Sequence, residues 1–121
     1  MNRSVLQVVN EDRDAVTVLH LKGRLVLEDG DAVFRDAVKE LAARDRLNLV
    51  VDLAEVSYID SAGIGVLIGR YLSLRRRGGD MKLANLTARS HRVMTITQLL
   101  DVFDCFDSIE EAVGSFAIAK R

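Results

Sequence analysis

Apolar and polar positions alternate over residues 16–21, with Val16, Val18 and His20 on one side and Thr17, Leu19 and Leu21 on the other. Val5, Gln7 and Val9 show the same period upstream, so two strands are expected, joined across residues 10–14. Gly23 and the acidic cluster Glu28, Asp29, Gly30 and Asp31 interrupt the alternation. Asp31 is then expected to cap a helix whose apolar side is Phe34, Ala37, Val38 and Leu41, spaced i, i+3, i+4, i+7. Residues 47–53 form a short, almost continuous apolar run, the pattern of a central strand covered on both faces.

After residue 60 the period changes to that of a helix. Ile64, Leu67, Ile68, Tyr71 and Leu72 mark its inner face, with Arg70, Ser73, Arg76 and Arg77 opposite, and Gly78-Gly79 ends it. Met81, Leu83 and, at its end, Leu86 suggest a strand. Val93, Ile96 and Leu100 mark a third helix, and residues 102–106 an edge strand. Ser108 with Glu111 three residues on has the form of a capping box, opening a short helix that ends near Phe116. Strands alternating with helices predict an α/β domain with a mixed sheet of four to five strands packed against about four helices.

Composition narrows the function. A chain of 121 residues forms one domain (1–121, core about 5–116) with a core large enough to need no staple. Its formal net charge of −1 gives no case for a nucleic-acid binder. The charges are unevenly spread: Arg70, Arg75, Arg76, Arg77, Lys82, Arg89 and Arg92 meet one acid, Asp80, whereas Asp101, Asp104, Asp107, Glu110 and Glu111 meet no base. Such blocks read first as solvated faces. The single Cys105 excludes an internal disulfide, fits a reducing cytoplasm, and reads as a small core residue. No segment has the pattern of a membrane span or a signal peptide. His20 and His91 lie far apart with no acid at metal-ligand spacing, so both read as structural, and neither a metal nor a cofactor is expected.

The most informative segment is Asp60-Ser61-Ala62-Gly63-Ile64-Gly65, where an apolar strand runs into a helix. It sets the Ser61 hydroxyl in the first turn, where backbone N–H groups lack partners and the dipole favours anions. Ser61 can serve as the N-cap, as a phosphoacceptor, or as both; Asp60 can cap the helix or position Ser61. Gly63 and Gly65 fit either close packing on the sheet or a flat surface for a partner. Gly-Ile-Gly carries no following lysine and matches no nucleotide loop, and Ser61 lacks the flanking glycine pattern of a nucleophile elbow, so no catalytic residue is assigned.

With these residues, Gly78-Gly79 before Lys82-Leu83, and Val102-Phe103 near the end, the chain resembles the STAS domain, and within it the stand-alone bacterial anti-sigma factor antagonists, over about residues 5–116. The resemblance implies a regulatory protein, not an enzyme. It implies that an anti-sigma factor that is also a serine kinase phosphorylates Ser61, that the unphosphorylated protein binds this kinase and releases its sigma factor, and that a PP2C-type phosphatase resets the system. It places the partner surface on Asp60, Ser61, Ala62, Gly63, Ile64 and Gly65, in a cytoplasmic monomer or weak dimer. Two departures stand out: Ala62 replaces a second hydroxyl found in many members, and Gly23-Arg24-Leu25-Val26 replaces their Gly-Glu-Leu-Asp.

Two other functions compete. A constitutive scaffold subunit of a stress-sensing or transport complex would bind its partner whatever the state of Ser61. A phosphoaspartate receiver would use Asp52 at a strand end, but residues 10–12 make an unpersuasive acidic pair for it.

Overall fold

The structure, a computed structural model, describes residues 6–119, with side chains through Phe116. The expected contribution of Val5 lies outside the described residues. The elements are β1 (Leu6–Arg13), β2 (Val16–Leu25), α1 (Gly30–Ala43), β3 (Asn48–Ile59), α2 (Ser61–Arg76), β4 (Asp80–Ala84), α3 (Ala88–Ile96), β5 (Cys105–Phe106) and α4 (Ile109–Ala119). The strands form one sheet in sequence order, antiparallel between β1 and β2 and parallel thereafter. The expected mixed sheet and four helices are present. A receiver's sheet places its first strand inside the parallel array; here β1 is an antiparallel edge, and that reading falls.

The period-2 alternation decides which helix covers which face. Leu19, Leu21, Leu49, Val51, Leu53, Met81 and Leu83 point to one side and pack with Phe34, Val38 and Leu41 of α1, Ile64, Leu67 and Leu74 of α2, and Met94 of α3. Val16, Val18, Val50 and Ala84 point to the other, where Ala112 and Phe116 of α4 cover them. One helix cannot cover a five-stranded face. Part of that second face stays open, and polar side chains occupy it.

Several local expectations are corrected. The hairpin is tighter than expected: β1 continues to Arg13, paired with Val16, and the chain reverses at Asp14-Ala15, with Asp14 in the left-handed region at φ 59°. The polar residues 10–13 are therefore strand, as edge strands tolerate. β2 runs through Gly23 to Leu25, accommodating that glycine (φ 119°) at a register shift against β3. Asp29, not Asp31, is the N-cap of α1; Asp31 lies in the first turn, buried, accepting bonds from the Asp29 and Ala32 N–H groups at 3.1 and 2.7 Å. On α2, Leu72 is exposed and Val66 takes an inward place, while Arg70 and Ser73 are half-buried along a cleft beside α1.

Leu86 follows β4 rather than extending it. α3 stops at Ile96, which is 73 % exposed, and Met94 is the large apolar residue it buries. The expected edge strand over 102–106 shrinks to Cys105–Phe106, because Phe103 turns into the main core. Cys105 is exposed rather than a core residue; partial desolvation and the neighbouring Asp104 push its thiol up, away from the reactive thiolate. α4 starts as expected, Ser108 Oγ accepting the Glu111 N–H at 3.1 Å, and continues to Ala119. No helix among the described residues is long and apolar enough to cross a membrane.

Candidate functional site

β3 ends at Ile59, whose side chain is buried, and Leu25 of β2 pairs beside it. The chain turns at Asp60, in extended backbone (φ −106°, ψ −173°), and α2 begins at Ser61. Asp60 is the N-cap: its Oδ1 accepts the Gly63 N–H at 2.9 Å. Ser61 is thus the first helical residue and not the cap, and its side chain is exposed. The serine hydroxyl has no capping duty, which separates two roles that the sequence left together.

Asp60 does a second thing. Its Oδ2 accepts the Leu27 N–H at 3.0 Å, tying the loop between β2 and α1 to the start of α2. The Asp60 N–H itself donates to the Leu25 carbonyl at 3.3 Å. Slight desolvation pulls the carboxyl of Asp60 up, but the N–H donors of Gly63, Leu27 and Ala62 outweigh it and hold the group below the ordinary aspartate range. It therefore stays an anion that accepts from both sides. The tie leaves Leu27 in solvent, 61 % exposed, beside Glu28, which is left-handed at φ 62°. Arg24 of the departed Gly-Arg-Leu-Val segment is exposed, and its Leu25 is fully buried.

The structure divides the six expected partner residues. Asp60, Ser61, Ala62 and Gly65 reach the surface, whereas Gly63 and Ile64 are buried. The two glycines answer the two explanations separately. A Cβ on Gly63 would lie 2.2 Å from the Leu25 carbonyl oxygen, so that glycine is required for α2 to approach β2. A Cβ on Gly65 would meet nothing within 4 Å. No internal packing asks for glycine there, although it costs a helix about 1 kcal/mol against alanine.

Asp52, considered as an acyl-phosphate acceptor, lies within β3 rather than at its end. Its carboxylate is occupied: Oδ2 meets His20 Nδ1 at 2.7 Å, while Oδ1 accepts the Ala54 N–H at 3.0 Å and Asn85 Nδ2 at 3.1 Å. His20 is not the unaccompanied histidine that sequence spacing suggested, since Glu11 Oε1 lies 2.8 Å from its Nε2. Both ring nitrogens are engaged by carboxylate oxygens. No metal-ligand cluster occurs among the described residues. His91 lies exposed on α3, lining a cleft with Thr87 and Leu86.

Comparison with known proteins agrees with this fold. The STAS domain model matches residues 7–112. An anti-sigma F factor antagonist from Paenibacillus polymyxa is 26 % identical over 115 residues, 95 % of this chain and 98 % of that protein. An anti-sigma-B factor antagonist from Bacillus subtilis is 39 % identical over 72 residues, 60 % of this chain and 65 % of that protein. Among solved structures, the phosphorylated form of the Bacillus cell fate determinant SpoIIAA superposes with a TM-score of 0.71 at 20 % identity, covering 91 % of this chain and 99 % of that one. With the family model spanning nearly the whole chain, this protein belongs to the STAS domain family.

Proposed function

We propose that this chain is an anti-sigma factor antagonist whose binding is switched by phosphorylation of Ser61. The observation that carries the reading is the separation of duties at the start of α2. Asp60 caps the helix and holds the neighbouring loop, so the exposed Ser61 hydroxyl can be modified without loss of a structural bond. The full-length relative named as an anti-sigma F factor antagonist, and the SpoIIAA structure described as phosphorylated, support the reading by kinship.

The physical consequence is local. A phosphate on Ser61 adds about 1.5 to 2 negative charges at pH 7. The helix dipole favours an anion there, but Asp60 already takes the Gly63 N–H and is itself negative. The phosphate therefore projects into solvent over Ser61, Ala62 and Gly65 instead of settling into the helix end. It acts by bulk and charge at the contact, with little refolding. The partner is a serine kinase that is also the anti-sigma factor; its docking frees the sigma factor, and a PP2C-type phosphatase restores the unmodified protein. The antagonist contributes a surface and an acceptor hydroxyl, and the kinase contributes the chemistry.

Binding of the purified kinase to Ser61→Ala and Ser61→Asp tests this. The alanine variant binds like unmodified protein and stays bound in the presence of ATP, and the aspartate variant binds at least about tenfold more weakly, a difference of about 1.4 kcal/mol. Equal binding by both variants would move the reading to a constitutive scaffold.

A further inference from the structure

On the sheet face that α4 leaves open, a chain of polar side chains runs across the strands: Glu11 on β1, His20 on β2, Asp52 on β3, and Asn85 just after β4. We propose that this chain is a proton-controlled clamp, closed when His20 carries a charge, that fastens the edge hairpin to the body of the sheet and loosens as pH rises.

The geometry sets the requirement. Ionised carboxylates only accept hydrogen bonds. Two of them, at 2.7 and 2.8 Å from the two ring nitrogens, are both satisfied only by an imidazolium, which donates from each. A neutral ring keeps one N–H and turns a lone pair toward the other acid. Asp52 holds the stronger claim, because its side chain is 13 % exposed and is fixed by Ala54 and Asn85, whereas Glu11 is 46 % exposed. Loss of the proton therefore releases Glu11, and with it the side-chain tie between β1 and the interior strand β3.

The other groups around the ring are consistent with this assignment. From β1, Arg13 lies 3.5 Å from Glu11 and also pairs with Glu110 of α4 at 2.6 Å. Lys22 of β2 and Glu55 of β3 line the same cleft of about 190 Å³, with Gln7 and the exposed Val9. Burial alone pulls His20 down, but the bonds to Glu11 and Asp52 outweigh it and raise it above ordinary histidine. Its bond to His20 lowers Glu11; burial raises Asp52, but Asn85, Ala54 and His20 outweigh that and lower it.

The linkage follows from these directions. A raised histidine contributes stability that is complete below its unfolded value of about 6.5 and is lost as pH rises through the folded value. The lowered carboxylates contribute stability present above about 4 and lost on acidification through their folded values. The clamp is closed in the interval between. It is independent of Ser61, so its failure leaves the phosphorylation reading untouched.

The test is an NMR titration of the His20 ring in the full chain, assigned with a His91→Gln variant, together with thermal melts across the same pH range. The expected result is a His20 midpoint above that of unstructured histidine, shifted downward in Glu11→Gln. The melting temperature should fall on alkalinisation more steeply in the wild type than in His20→Gln. A His20 midpoint at or below the unstructured value, or one unmoved by Glu11→Gln, would overturn the clamp. Should His20→Gln fail to fold, the exposed Glu11→Gln variant supplies the same comparison of melts, and identical pH profiles for it and the wild type would also overturn the proposal.

Discussion

Asp60 and Ser61 sit side by side and do different work. The aspartate engages backbone N–H groups with both carboxylate oxygens, one in α2 and one in the loop between β2 and α1. An asparagine keeps a single acceptor oxygen and can replace only one of those bonds. Asp60→Ala should therefore cost about 1–2 kcal/mol, in the range of lost caps, and Asp60→Asn distinctly less, as read from urea unfolding. The pH dependence has a definite sign. Because the folded carboxyl lies below its ordinary value, its contribution is present above the unfolded value of about 3.9 and is lost as pH falls through the folded one. Asp60→Ala should flatten that acid limb. A serine that capped the helix itself would give a different pattern, with Ser61→Ala as costly as Asp60→Ala; here Ser61→Ala should leave stability within about 0.5 kcal/mol of wild type.

Among the elements, α2 carries the site, and its glycines have opposite jobs. Gly63→Ala forces a methyl against the Leu25 carbonyl and should destabilise the fold. Gly65→Ala points its methyl into open space and should stabilise the helix by up to about 1 kcal/mol. Thermal denaturation of the pair checks the opposite signs. If the surface of α2 meets a partner backbone, Gly65→Ala should still weaken binding to the kinase despite the firmer fold. The sequence shows where this helix starts and stops, because a strand pattern, an Asx-Ser pair and a double glycine punctuate it. It does not show which glycine faces inward: that depends on the Leu25 carbonyl, which reaches α2 only through the β2–β3 pairing. The same limit explains other departures. Local period places Ile96 and Leu72 inside, whereas their helices rotate to bury Met94 and Val66. Cys105, expected in the core, is exposed, because the edge strand has only two paired residues and Phe103 ahead of it turns into the main core.

Over the whole molecule, the two faces of the sheet are unequal. α1, α2 and α3 cover the larger core, and α4 closes only part of the opposite face. Lys82 shows how that smaller core tolerates a charge: it is 8 % exposed, with its ammonium 4.8 Å from the Phe116 ring centre, 5.7 Å from that of Phe106, and 3.6 Å from Asp104 Oδ2. Phe116→Ala removes an aromatic cover from this lysine and empties the helix's main contact, and should cost about 3 kcal/mol in chemical denaturation. The layered architecture was legible from alternation and element order. The polar chain on the open face was not, because Glu11, His20, Asp52 and Asn85 are brought together only by strand register.

The most direct test of the central claim is phosphopeptide mapping after the protein is incubated with ATP and host extract, with phosphatases inhibited, beside a Ser61→Ala control. One phosphate is expected, on the peptide carrying Ser61, and it disappears in the control. No phosphate at Ser61 although the extract yields a binding partner, or a phosphate that persists in Ser61→Ala, would contradict that claim.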